Sequence, residues 1–147
     1  MNNNNNTKIK NFLQLLKNYS TIYIYTKDEN FLESEIMNFI FRIYEEKNLK
    51  YKILTQIEYM QDVSIDFNYL EKYSLLVIDF RVSIFPASEA QKNYFIYKFM
   101  DLINLLKTFK SKRVLFVSDK SENEIFSKLP EILKLLKVHL YMPIIKI

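Results

Sequence analysis

Apolar positions along this chain change period several times, and each change marks an element. Ile9, Phe12, Leu13 and Leu16 recur at helical spacing and predict a first amphipathic helix. "TIYIY" (21–25) is β-branched and aromatic, the composition of a strand. Leu32, Ile36, Phe39, Ile40 and Ile43 then form the core face of a second helix, for which Asn30 and Glu33 have the spacing of a capping box. "YKIL" (51–54) reads as a short strand, and residues 55–72 carry weaker periodicity with a short helix around Ile57 to Met60. "SLLVIDF" (74–80) and "RVLFVSD" (113–119) are apolar on both alternating faces, as strands covered on two sides must be. Between them Ser88 and Gln91 cap a long helix whose buried stripe is Phe95, Phe99, Leu102 and Leu106. "SENE" (121–124) caps a further helix carrying Ile125, Leu129, Ile132 and Leu136, bent or split at Pro130. "VHLYMPIIKI" (138–147) is the last strand, with Pro143 marking an edge or an irregularity.

Strands alternating with helices predict an α/β fold: a three-layer, doubly wound, mainly parallel five-stranded sheet with helices on both faces. The crossovers of such sheets are right-handed, and ligands bind beyond the carboxyl ends of the strands. Those ends carry Thr26–Lys27–Asp28–Glu29, Asp79–Arg81 and Ser118–Asp119–Lys120 here, a polar rim rich in carboxylates. The expected organisation is an Asn-rich disordered tail over 1–8 and one domain over 9–147, without an internal repeat or a dividing linker.

Composition narrows the chemistry. Cys 0 excludes disulfides, thiolate nucleophiles and thiolate metal sites, and His 1 excludes multi-histidine centres. Gly 0 excludes the glycine-dependent phosphate loop, dinucleotide fingerprint and nucleophile elbow. Catalysis is therefore not expected, and neither is a cofactor. The net charge of +4 is spread along the chain. Its densest group, Lys107, Lys110, Lys112 and Arg113, suits the end of a helix better than a nucleic-acid patch, so nucleic-acid contact has only weak support. No apolar run approaches the roughly 18 residues of a membrane span, which makes the cytoplasm the expected location. Tyr19, Tyr59, Tyr69 and Tyr94 are the tyrosines that, if exposed, would anchor a protein partner. Against these readings, Asp79 also fits a strand-end acid bonded to nearby backbone N–H groups, and His139 a core histidine.

"LLVIDF", the long helix with "YFIYKF", and "RVLFVSDKSENEIFSKLPEIL" resemble the core of AAA+ replication ATPases: initiators of the DnaA and Hda type and DnaC-type helicase loaders. "IYIYTKDENFLESEI" is similar to the start of the clamp-loader delta subunit, a member of that superfamily that does not use ATP. The resemblance implies a RecA/AAA+-like core, with Asp79 as the first Walker B acid and Ser118–Asp119 as the sensor. It also implies partners among replication proteins: an initiator, a helicase loader or clamp-loader subunits. Phe80 replaces the second Walker B acid, and "YTKDENFLESE" replaces the phosphate loop. Asp28, Glu29, Glu33 and Glu35 would repel phosphate there. The expectation is thus a non-catalytic, ATP-independent interaction domain whose remnant rim is Asp28, Glu29, Asp79, Arg81, Ser118 and Asp119. Lys27 would pair with the acids, and Asp28 and Asp79 are the weak candidates for a metal. The alternative is a pseudo-receiver of the response-regulator type, which Asp28, Glu29, Asp79, Ser118 and Pro143 would also fit. Met142 stands there in place of the receiver lysine.

Overall fold

The computed structural model describes residues 3–81, 88–119 and 143–147. Helix α1 spans Asn3–Asn18, strand β1 Thr21–Tyr25, α2 Glu35–Glu46, β2 Tyr51–Thr55, α3 Phe67–Lys72, β3 Leu75–Asp79, α4 Glu89–Thr108, β4 Arg113–Ser118 and β5 Ile144–Lys146. A short 3-10 turn, Phe31–Glu33, precedes α2, and a turn of π-helix, Glu58–Asp62, precedes α3. The strands form one sheet in the order β2-β3-β4-β1-β5, and every pairing is parallel. The three-layer α/β architecture expected from the pattern is the one observed.

This order sets the layers. From β1 the chain crosses to the far edge at β2, then returns through β3 to β4. Reversing direction with right-handed crossovers puts the first connecting helix on one face and the next two on the other. Side-chain packing agrees. Ile22, Ile24, Leu75, Val77, Leu115 and Val117 face α1 and α2, meeting Phe12, Leu16, Met37 and Ile40. The alternate residues Tyr23, Leu76, Ile78, Val114 and Phe116 face α3 and α4, meeting Leu70, Phe99, Leu102 and Leu106. Burying both faces explains why β3 and β4 lack polar alternation.

The same order corrects the receiver reading. Receivers keep β1 between β2 and β3, whereas here β1 lies between β4 and β5.

Other local expectations also change. Helix α1 runs back through the asparagines at 3–6, where a disordered tail was expected. Once the Ile9–Phe12–Leu16 stripe is buried, propagation adds one hydrogen bond per residue fixed and avoids the cost of nucleation. Asn30 does not cap α2. Ser34 does, its hydroxyl accepting from the Met37 amide at 3.4 Å. The helix near Ile57 is the π-helical turn, entered through a reciprocal pair: Glu58 donates its amide to the Thr55 hydroxyl at 3.2 Å, and its carboxylate accepts from the Thr55 amide at 3.0 Å. These bonds hold the Glu58 carboxyl below its ordinary pKa. Helix α3 has no counterpart among the expected elements; Asp66 caps it by accepting from Tyr69 at 3.0 Å. The capping box of α4 is present in both directions, between Ser88 and Gln91. Of its expected buried stripe, Phe99, Leu102 and Leu106 are buried, joined by Ile103, and the Phe95 side chain lies outside what the structure describes.

Helix α2 ends on a left-handed residue, a place usually taken by glycine. Asn48 supplies it, with φ 55° just beyond α2. Leu49 then donates to the Tyr44 carbonyl at 2.8 Å and Asn48 to that of Glu45 at 3.0 Å, the paired bonds of a Schellman stop. The helix expected from Ser121, with Pro130, and His139 and Met142 all lie outside the described residues.

Candidate functional site

The carboxyl ends of β3, β4 and β1 are neighbours in the sheet, so the three polar segments of the expected rim meet. Backbone bonds tie them laterally. The Thr26 amide donates to the Ser118 carbonyl at 2.9 Å, and the Phe80 amide to the Val117 carbonyl at 2.7 Å. Thr26 and Ser118 are buried, whereas Lys27, Asp28 and Glu29 are exposed and Asp79, Arg81 and Asp119 half-buried.

The connection leaving β1 folds on itself. The Asp28 amide donates to the Thr26 hydroxyl at 3.1 Å, and the Asn30 amide to the Asp28 carboxylate at 2.9 Å. Amides of Phe31, Glu33 and Ser34 donate to the carbonyls of Asp28, Asn30 and Phe31. These are the turns that Thr and Asp side chains favour. They engage the amides of residues 26, 28, 30, 31, 33 and 34 with acceptors of the protein itself. A phosphate cradle needs such amides converging outward, in a backbone that alternates right- and left-handed residues. Among the described residues only Asn48 has a positive φ, far from this connection.

The cation of the rim is Arg81. Its Nε and Nη2 donate to the two oxygens of Asp79, each at 2.9 Å, a bidentate fork. Its backbone amide donates to Asp79 Oδ1 at 3.0 Å. Its Nη1 reaches across to the carbonyls of Asp28 at 3.3 Å and Glu29 at 2.7 Å. The hydrogen bond to Asp79 pushes the Arg81 pKa above the ordinary arginine value. The charges of Asp79, Glu33 and Asp28 add to this, against an opposing effect of burial. With side-chain exposures of 13% for Arg81 and 19% for Asp79, the pair is largely shielded from water.

Lys27 was the cation expected to pair with these acids. The structure gives that place to Arg81. Lys27 donates instead to the Asp119 carbonyl at 3.0 Å, with its ammonium 5.6 Å from the centre of the Tyr25 ring. In sequence, an Arg two residues past a strand-end acid reads as the start of a loop. The i, i+2 spacing is in fact what allows the guanidinium to fold back on Asp79.

Asp79, one of the two candidate metal ligands, presents both oxygens to Arg81. Asp28 accepts from the Asn30 amide with a carboxylate oxygen, and its carbonyl accepts from the Phe31 amide and from Arg81. Among the described residues no group of three or more His, Cys, Asp or Glu side chains is placed to hold a metal ion.

The basic group before β4 is largely structural. Arg113 donates to the carbonyls of Leu16 and Lys17 at the end of α1, and to those of Lys110 and Lys112. Lys112 Nζ reaches the Glu71 carbonyl at 3.4 Å. Of the tyrosines considered as anchors, Tyr59 is fully buried, Tyr19 and Tyr69 are half-buried, and Tyr94 is 48% exposed. Tyr97, at 65%, and Met100, at 43%, extend the exposed side of α4 at three-residue spacing from Tyr94, a spacing legible in the sequence.

Sheet order and rim together define a class: a doubly wound, parallel α/β domain of the general P-loop or Rossmann-like kind, a nucleotide-binding type of architecture. No family model matches the chain, and no curated protein is measurably similar to it. No helix among the described residues is long and apolar enough to cross a membrane.

Proposed function

We propose that this chain is a non-catalytic, AAA+-like domain that acts by protein–protein contact in bacterial or phage DNA replication, beside an initiator, a helicase loader or a clamp loader. The observation that carries the nucleotide-independent part is the β1–α2 connection. Its amides at 26, 28, 30, 31, 33 and 34 already have internal acceptors, and Arg81 covers the acid that would otherwise face a metal. A triphosphate would have to break these bonds and face the carboxylates of Asp28 and Glu33 as well. The replication part rests on the resemblance of "LLVIDF" and "VLFVSDKSENEI" to the Walker B and sensor strands of that family, with Asp79 and Ser118–Asp119 at the adjacent ends of β3 and β4. Exposed Tyr94, Tyr97 and Met100 on α4 favour work by contact, since large aromatic side chains are the usual anchors of interfaces.

Two measurements test the two parts separately. Calorimetric titration with ATP and Mg²⁺ should give no saturable heat; binding at micromolar concentration would overturn nucleotide independence. Affinity capture from the native cell should recover an initiator, a helicase loader or a clamp-loader subunit. Stoichiometric recovery of partners from another process would overturn the replication assignment and leave the first part standing.

A further inference from the structure

We infer that Arg81 is a resident cation that latches the rim shut, joining the end of β3 to the β1–α2 connection and occupying the place where the strand-end carboxylate would otherwise meet a divalent metal. This rests on the nucleotide-independent part of the proposed function and deepens it, and it holds whatever the partner is.

Four hydrogen bonds leave one guanidinium, two to the Asp79 carboxylate and two to the carbonyls of Asp28 and Glu29, which lie 53 and 52 positions away in sequence. A guanidinium has five N–H donors. One that spends four of them inside the protein is a plug, not a receptor waiting for an anion. The connection it reaches is otherwise held by short-range bonds, since Asp28, Asn30, Phe31, Glu33 and Ser34 all donate to residues two or three positions back. The lateral bonds from Thr26 to Ser118 and from Lys27 to Asp119 fix only the start of the connection. Past that point Arg81 is a long-range polar tie to the connection, while Phe31 anchors the apolar side. A segment built this way opens as a local unit, with a stability distinct from that of the strands beneath it.

The charge balance points the same way. Arg81 lies in the field of Asp79, Glu33 and Asp28. Removing its charge leaves the Asp79 carboxylate without its bidentate partner, in reach of an added cation. An ammonium at position 81 would keep the charge without the fork, because lysine is a point donor.

The test uses the full chain with Arg81→Gln and Arg81→Lys. Hydrogen exchange over residues 26–34 should accelerate in the glutamine variant about tenfold or more beyond any acceleration of the β3 and β4 amides, and by less in the lysine variant. Water-proton relaxation with Mn²⁺ alone should show no site in the native protein and a millimolar site in Arg81→Gln that a further Asp79→Asn change removes. Unaltered exchange over 26–34 in both variants would overturn the latch. So would acceleration spread evenly over the strands in the milder lysine variant, or Mn²⁺ binding to the native protein as tight as to Arg81→Gln.

Discussion

Two arginines close the two ends of the same sheet, and they do so by different chemistry. At the amino end, Arg113 opens β4 and donates only to carbonyls, those of Leu16 and Lys17 at the finish of α1 and of Lys110 and Lys112 before its own strand. It therefore satisfies helix-end acceptors and complements the negative end of the α1 dipole. At the carboxyl end, Arg81 folds back on an acid, Asp79, and reaches carbonyls of the next connection with what remains. The amino-end staple joins groups that water would also serve. The carboxyl-end staple holds an ion pair where doubly wound sheets ordinarily receive their ligands. That contrast separates a part that holds the fold from a part that fills a site.

Removing each cation should break the comparison unequally. Arg81→Ala leaves Asp79 charged and largely shielded, with the backbone amide of residue 81 still donating to it but the guanidinium fork gone, and should cost about 3 kcal/mol of unfolding free energy, in the range for stranding one member of a shielded pair. Arg113→Ala loses hydrogen bonds from a charged donor to carbonyls that water can reach in part, and should cost about 2 kcal/mol. Urea denaturation at neutral pH measures both. Adding Asp79→Ala to Arg81→Ala should recover part of the loss, whereas Asp79→Ala should give no recovery beside Arg113→Ala. A recovery of equal size in both backgrounds would erase the distinction between the two ends.

A smaller effect tests whether the fold elsewhere manages without glycine by the same local logic. Asn48→Ala puts a Cβ without a compensating polar group at φ 55° and should cost about 1 kcal/mol, while Asn48→Gly should be neutral or slightly stabilising.

The smallest effect at neutral pH comes from Tyr59. Its hydroxyl is buried and has no hydrogen-bond partner among the described residues, beneath the Lys98 ammonium 5.2 Å from its ring. Tyr59→Phe should therefore leave stability unchanged or raise it by less than about 1 kcal/mol, because it removes a buried polar atom that lacks a bond. Alkaline pH should separate the variants. Burial pushes the Tyr59 phenol far above its ordinary value of 10.0, with the charges of Asp101 and Tyr94 adding. Tyr44 and Tyr69 are raised mainly by burial, and Tyr51 by its hydrogen bond to Glu45. A raised folded pKa means that above pH 10 the unfolded chain releases protons the folded chain retains. The tyrosine contribution is complete below that value and declines as pH rises through it. Burial lowers Lys98, which carries the opposite sign: the folded chain binds fewer protons just below the ordinary lysine value, so stability gains there as pH rises. The tyrosines outnumber it. Denaturation curves should show stability falling above pH 10, and Tyr59→Phe should fall less steeply by up to about 1.4 kcal/mol per pH unit.

The sequence by itself determined the layers of this protein. Runs such as "LLVID" and "VLFV" have no polar alternation, and only a strand covered on both sides accommodates that. The absence of glycine also excluded a glycine-dependent phosphate loop after β1. Cap identities were partly legible: Ser88 and Gln91 fulfilled their spacing, but Asn30 lost to Ser34, because the buried Phe31 fixes a 3-10 turn before the helix can begin. Strand order was beyond the pattern, since periodicity states which face is buried and not which strand lies alongside. Only the tertiary structure set β4 between β1 and β3 and brought Asp28, Asp79 and Ser118 to one rim. It alone decided that Arg81, rather than Lys27, is the cation there. The pairing depends on a guanidinium reaching carbonyls more than fifty residues away, a distance that sequence spacing does not encode.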